Sequence, residues 1–274
     1  MPEGSPMAVP IACDVHTHTL FSRHAYSTVE EDVRAAAEHG MGLLGITDHF
    51  SCMLFPTQEL HNFQYFQNMH CWPREWHGVQ LLRGCEADIV SLDGAFFGGD
   101  ITYTTNPSGR PMSRPRTLKE IAFAECDYVV ASVHDGTFAQ GASRAEVTRM
   151  YRRVIEEPKV LVLGHIGRTG LDFDLDEVLA ACRDAGVLVE VNESSLVGEK
   201  RAGSLDRCRQ IVERCAELGV PMSFGSDAHI SWMVGRHDAT DALLDETHFP
   251  AELMACRTPE AFLAALSQKC QTLL

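Results

Sequence analysis

The chain has 274 residues, 45% hydrophobic and 22% charged, which excludes a disordered polymer and suits one large α/β domain. Its net charge of −15 argues against a general binder of nucleic acid or of an anionic membrane surface. Ten cysteines lie scattered with no Cys-x-x-Cys pair, as expected of reduced thiols in a cytoplasmic protein, and no secretory signal pattern or span of about 20 apolar residues is present.

In chain order, short apolar runs predict strands over Ile11–Val15, Leu43–Thr47, Val79–Cys85, Tyr128–Val133, Val160–Gly164, Val187–Val191 and Pro221–Phe224. Each is β-branched or Leu-rich and too short for a buried helix. Helices are expected between them. Ser27-x-x-Glu30 predicts a start for a helix that stops at Gly40. Thr117-x-x-Glu120, Ser143-x-x-Glu146 and Asp174-x-x-Glu177 repeat the capping-box spacing. Ser204 is expected to cap a helix running to Leu218, and Thr258-Pro259 to open the last one. Seven strand–helix alternations predict a parallel sheet covered by helices, a (β/α) barrel in preference to an open doubly wound sheet. Two long connections, 50–76 and 93–115, interrupt the rhythm. In a barrel both belong at the C-terminal rim of the strands, where sites are built.

Chemistry-bearing residues cluster at those rims. His16 and His18 end the first strand, and residues two apart on a strand share a face. His24 follows, before the first helix. His49 ends the second strand, Glu86 the third, His134 the fourth, His165 the fifth, and Asp227-Ala-His229 follows the seventh. Imidazole with carboxylate suits Zn²⁺, Mn²⁺ or Fe²⁺ better than Ca²⁺ or Mg²⁺. Nine ligands exceed the needs of one ion and could fill three sites if one carboxylate bridges. Adjacent divalent ions in an open site suit hydrolysis at phosphorus, with hydroxide held between two of them as the attacking group. Arg168, Lys200 and Arg201 follow strands five and six, where a cation could fork onto a phosphate. His39, His61, His70, His77, His237 and His248 look scattered and are read as surface or locally bonded.

Competing motifs lack their context. Cys208-x5-Arg214 has the spacing of a thiol phosphatase but continues a helical stripe through Ile211, Val212, Cys215 and Leu218. Asp172-Phe-Asp174 leads into a helix as a cap would.

Taken together, Asp14-Val-His16-Thr-His18-Thr, Ile46-Thr-Asp48-His49 and Gly225-Ser-Asp227-Ala-His229, with Glu86 and the strand-end His134 and His165, resemble the PHP superfamily (polymerase and histidinol phosphatase). The closer resemblance is to its YcdX-type phosphatases, through His24-Ala-Tyr-Ser27, Asn68-Met-x-x-Trp72-Pro-Arg74, Leu82-Arg-Gly-x-Glu86-Ala87 and Glu190-x-Asn192-x-Ser194-Ser195. It implies a distorted, TIM-like (β/α)7 barrel and a trinuclear metal centre. By motif, the first ion falls to His16, His18, Glu86 and Asp227, and the second to Glu86, His134 and His165. The third falls to His24, His49 and His229. Asp227, Glu86 and His134 are then the candidate catalytic residues, and Arg168, Lys200 and Arg201 the candidate substrate contacts. Ile166-Gly-Arg168-Thr169 and the segment after Ser195 depart from the family pattern.

The expectation is one domain over residues 1–274, with motifs in 11–229 and a C-terminal helical part in 230–274. Its function is hydrolysis of a small phosphate monoester with three divalent ions, zinc with manganese or iron as alternatives. Histidinol phosphatase is one narrower reading, and a nucleotide or nucleic-acid phosphoesterase is another. An amidohydrolase and a non-catalytic metal-binding module are the other classes weighed. A homo-oligomer is compatible with the sequence.

Overall fold

The computed structural model describes residues 10–197 and 202–271. In chain order the regular elements begin with β1 (Cys13–Thr17), α1 (Val29–Glu38), β2 (Leu43–Ile46), β3 (His49–Phe50), β4 (Glu75–Trp76) and β5 (Val79–Asp88). Next come β6 (Thr102–Thr105), β7 (Pro111–Thr117), α2 (Leu118–Phe123), β8 (Tyr128–Ser132), α3 (Arg144–Ile155), β9 (Val160–Leu163) and α4 (Leu175–Ala185). The chain continues through β10 (Leu188–Glu190), α5 (Glu193–Leu196), α6 (Ala202–Leu218), β11 (Met222–Ser223), α7 (Asp238–Thr247) and α8 (Pro259–Cys270).

The main sheet runs β1-β2-β5-β8-β9-β10-β11, each neighbouring pair parallel. Past β11 the chain returns to β1. Asp227 N–H donates to the His16 carbonyl at 2.8 Å, and His18 N–H donates to the Ala228 carbonyl at 2.9 Å. These bonds and a parallel Thr17–Ala228 bridge draw the sheet into a barrel-like ring. The fold is therefore a distorted TIM-like barrel. The strands are buried on both faces, which is why they read as continuous apolar runs rather than as alternations.

Tyr128 fills the ring below the rim. Its hydroxyl donates to the Val15 carbonyl at 2.6 Å, so the side chain reaches from β8 to β1. Glycines clear its path: a Cβ on Gly45 would lie 1.9 Å from the Tyr128 oxygen, and one on Gly84 3.4 Å from the ring. Phe262 of α8 packs edge-on against it at 5.6 Å.

The sequence places several helix starts differently from the structure. The first helix is capped by Thr28, with Glu31 closing the box, rather than by Ser27 and Glu30. Ser27 instead accepts the Ser231 N–H through its hydroxyl. The Thr117 and Ser143 boxes form as read, and Asp174 accepts from Glu177 N–H. Helix α6 starts at Ala202, so Ser204 lies inside it, and its hydroxyl donates to the Ser195 carbonyl at 2.7 Å. The two long connections also carry more structure than their composition suggests. Residues 50–76 leave the rim at β3, form a 3-10 helix over Leu60–Cys71, and end at β4, which pairs with the start of β5. The segment is thus a crossover running the length of the barrel, its Phe63, Phe66 and Met69 buried. Residues 93–115 hold most of a β6–β7 hairpin.

Candidate metal centre

The rim of the ring gathers the nine side chains around the carboxylate of Glu86, which is sealed from solvent on β5. The Glu86 Oε2 atom lies 3.3 Å from His16 Nε2, 3.4 Å from His18 Nε2 and 2.8 Å from His49 Nδ1. Its Oε1 atom lies 3.3 Å from His134 Nε2 and 2.7 Å from His165 Nε2. The Asp227 Oδ1 atom adds approaches of 3.2 Å to His18 Nε2 and 3.8 Å to His16 Nε2. His24 Nε2 and His229 Nε2 face each other at 3.0 Å. Two donors on one tetrahedral zinc stand roughly 3.3 Å apart, given bonds of about 2.0–2.1 Å. Four of the eight, His16 and His134 to Glu86 and His18 to Glu86 and Asp227, lie within about 0.1 Å of that spacing.

Hydrogen bonding fixes what His18 presents. Ser22 Oγ donates to Asp48 Oδ1 at 2.7 Å, so its lone pairs must accept the contact from His18 Nδ1 at 3.0 Å. The proton of His18 is therefore on Nδ1, and its bare Nε2 faces two carboxylates. Burial, with the neighbouring His49 imidazole, holds the pKa of His18 well below its usual value. Buried His16 Nε2, His18 Nε2, His49 Nδ1 and Glu86 Oε2 have no hydrogen-bond partner. Lone pairs facing one another in a sealed site are repulsive, and a cation is the group that resolves them. The donor set thus fits divalent metal.

Other titrations agree with an imidazole cage. Burial and neighbouring imidazoles push His24 down to about 4, and burial with the Arg168 charge brings His165 to about 3. Both are neutral near pH 7, as ligands must be. Burial alone would raise Glu86 and Asp227. Histidines outweigh it for both, with Arg168 also acting on Asp227, and both carboxylates are held well below the usual range.

Backbone geometry aims the ligands. His165 and Asp227 sit at φ 33° and 56°, left-handed conformations that cost a non-glycine residue about 1–3 kcal/mol. His165 comes two residues after the end of β9, and Asp227 four residues after the end of β11. Gly225 lets the last strand approach β1, since a Cβ there would lie 2.6 Å from the His16 Cβ.

Three-residue groups with donor atoms within 4.8 Å of one another, among the described residues, are His16–His18–Glu86, His18–His49–His229 and His49–Glu86–His134. His18 and His49 each appear in two, so the grouping differs from the motif-based one, in which each serves one ion. His24 joins through His229, and His165 through Glu86. Arg168 lies beside the cluster, its Nη1 donating to Asp227 Oδ2 at 2.9 Å. Lys200 and Arg201 lie outside the described residues. His237, read from sequence as surface or locally bonded, is buried, and neither ring nitrogen has a hydrogen-bond partner. His39 is bonded to a remote segment instead, its Nδ1 lying 2.6 Å from the Val234 carbonyl oxygen. Cys208 is buried inside α6, which gives no phosphate-cradling turn, and Asp174 caps α4.

Sequence reasoning assigned no role to the residues that orient the ligands. Glu190 Oε1 lies 2.8 Å from His16 Nδ1, and its Oε2 accepts the His165 N–H at 3.0 Å. Asp88 Oδ1 lies 2.6 Å from His134 Nδ1 and is supported by the Ser51 hydroxyl on its other oxygen. Asn192 donates to Asp227 Oδ2 at 3.2 Å. A signal existed for Asp88: two residues beyond Glu86 on one strand, it shares that face.

Comparison with known proteins shows the family of the chain. The PHP domain model matches residues 14–194, and the PHP-associated model matches residues 206–269. The chain belongs to the PHP family. A probable phosphatase of Aliivibrio fischeri (strain MJ11) is 35% identical over 257 residues, covering 94% of this chain and 93% of the relative. A probable phosphatase of Clostridium acetobutylicum is 34% identical over 241 residues, covering 88% of each. Among solved structures, the histidinol phosphate phosphatase of Lactococcus lactis, complexed with zinc, L-histidinol and phosphate, aligns with a TM-score of 0.57 at 17% identity. The alignment covers 88% of this chain and 95% of that one. At that identity the likeness shows the shared fold. No helix among the described residues is long and apolar enough to cross a membrane.

Proposed function

We propose that this PHP protein is a metal-dependent phosphatase that hydrolyses a small phosphate monoester, with water rather than a side chain attacking phosphorus. Family membership and relatives named probable phosphatases make it a phosphatase. The observation that carries the metal requirement is the bare Nε2 of His18, fixed by Ser22 and Asp48, facing the carboxylates of Glu86 and Asp227. We assign His16, His18, Glu86 and Asp227 to one ion, Glu86, His134 and His165 to a second, and His24, His49 and His229 to a third. Zinc, manganese or iron suits these donors. Such ions lower the pKa of water and neutralise phosphoryl oxygens.

The chain's own side chains do the rest. Glu86 reaches both ends of the cluster, with Oε2 toward His16, His18 and His49 and Oε1 toward His134 and His165. Asp227 keeps one oxygen toward His18 while Arg168 and Asn192 occupy the other. Arg168 keeps further guanidinium donors for a phosphate oxygen. In the reaction the water oxygen bonds to phosphorus, the ester P–O bond breaks, and the alcohol leaves carrying a proton.

Turnover of a chiral thiophosphate ester in ¹⁸O-water tests the reading. Inversion at phosphorus is expected, and net retention would instead reveal a covalent enzyme nucleophile. Phosphate release from an ester panel, run beside elemental analysis, should show activity that follows metal content.

A further inference from the structure

The donors of the centre are unequally open. His16, His18, Glu86 and His165 are sealed, while His24 and His134 are exposed and the His229 side chain retains 30% of its exposure. The open face of the centre therefore carries His24, His229 and His134, and a phosphate has access from that face, with its alcohol portion left outside. The two loops bearing His24 and His229 are tied together. Tyr26 N–H donates to the His229 carbonyl at 2.8 Å, and Ser231 N–H donates to Ser27 Oγ at 2.7 Å. On this tied pair stand Tyr26, Ile230 and Trp232, exposed by 75%, 43% and 62%. Single exposed apolar residues are ordinary, but these three stand within three residues of His24 or His229, on the loops that carry two of the open donors. Trp232 is also held in place. The Arg236 guanidinium lies 4.0 Å over its ring, while Arg236 Nε donates to the Trp232 carbonyl at 2.7 Å. One ring face is backed, and the exposed remainder is free to stack.

We propose that Tyr26, Ile230 and Trp232 form the leaving-group subsite, which selects phosphate monoesters of alcohols bearing a flat aromatic ring over those of short aliphatic alcohols. This inference rests on the phosphatase reading. Three side chains supply far less than the roughly 800 Å² per partner of a stable protein interface, which favours a small ring over a second copy of the chain. Aromatic contact at such a platform is geometry-dependent and adds to apolar burial.

The test uses the full, metal-loaded chain with benzyl phosphate and propyl phosphate. The wild type should prefer the benzyl ester by about 10-fold in kcat/KM, equivalent to about 1.4 kcal/mol, and the ratio should fall toward one in Tyr26→Ala/Trp232→Ala. Binding of non-hydrolysable benzylphosphonate should quench tryptophan fluorescence in the wild type and not in Trp232→Phe. Equal wild-type rates for the two esters, an unchanged ratio in the double variant, or quenching that survives Trp232→Phe would overturn the subsite. Failure to release phosphate from any ester would overturn the phosphatase reading and this inference with it.

Discussion

At the scale of single residues, Glu86 is the most consequential. Imidazoles from five different positions along the chain approach its two oxygens. Glu86→Gln, a neutral isostere that bridges cations poorly, should lose two of the three proposed ions together in elemental analysis. Loss of one ion alone would deny it the bridging role. Arg168→Ala should raise KM by roughly 10-fold with kcat changed less, since a charged hydrogen bond of about 1.5 kcal/mol to phosphate is removed. Asp32 presents a different problem. It is buried on α1, neither oxygen has a hydrogen-bond partner, and burial beside Asp48 and Asp14 raises its pKa to about 8. The folded state then binds a proton that the unfolded state releases near pH 4, so this group lowers stability as pH rises from about 4 to 8. Asp32→Asn should match wild type at pH 4 and exceed it at pH 8 by about 1–3 kcal/mol, read from urea midpoints under one metal condition. Equal midpoints across that range would refute the assignment.

At the scale of elements, the interior of the ring depends on a large residue opposite glycines. Gly45 interrupts β2, where glycine is otherwise unfavourable, and the Tyr128 hydroxyl lies where its Cβ would be. Gly45→Ala should therefore cost about 1–3 kcal/mol through overpacking. Removing the offending oxygen with Tyr128→Phe should recover part of that loss in a double-mutant cycle, although Val15 loses its hydrogen bond. Strict additivity of the two changes would show that the steric account is wrong. The strand ends also explain the precision of the centre. Glu86, His16 and His49 lie within strands, as does Asp88, which orients His134, and the remaining candidate ligands follow after strands or on the tied loops.

At the scale of the whole molecule, bound metal and folding should be linked. The chain concentrates buried donors that are compatible only when a cation separates them. Chelation should lower the thermal midpoint by about 5–10 °C, from roughly 2.7 kcal/mol of ligand stabilisation at a hundred-fold excess over Kd. An unchanged midpoint after verified metal removal would contradict the coupling. We also expect a single unfolding transition over residues 1–274. The C-terminal part packs on the barrel: Ala12 N–H donates to the Cys256 carbonyl, and Phe262 lies against Tyr128. Two separated transitions would make the C-terminal region an independent unit.

The strand runs and the candidate ligands at their ends were legible in sequence for one physical reason. In a parallel barrel the buried strands are short and apolar, and the chemistry must follow them at their C-terminal ends. His16, His18, His49, Glu86, His134, His165, Asp227 and His229 are visible by that rule alone. The tertiary structure decided what depends on distance between remote segments. It paired His16 with Glu190 and His134 with Asp88, and it set the proton of His18 through Ser22 and Asp48. It shifted the first cap from Ser27 to Thr28, because Ser27 is used to tie two loops together. It buried His237, which no periodicity marked. Local pattern encodes where the backbone bends and which face is apolar. Which lone pair meets which across a ring of seven strands is settled only when the ring closes through Asp227 and His18.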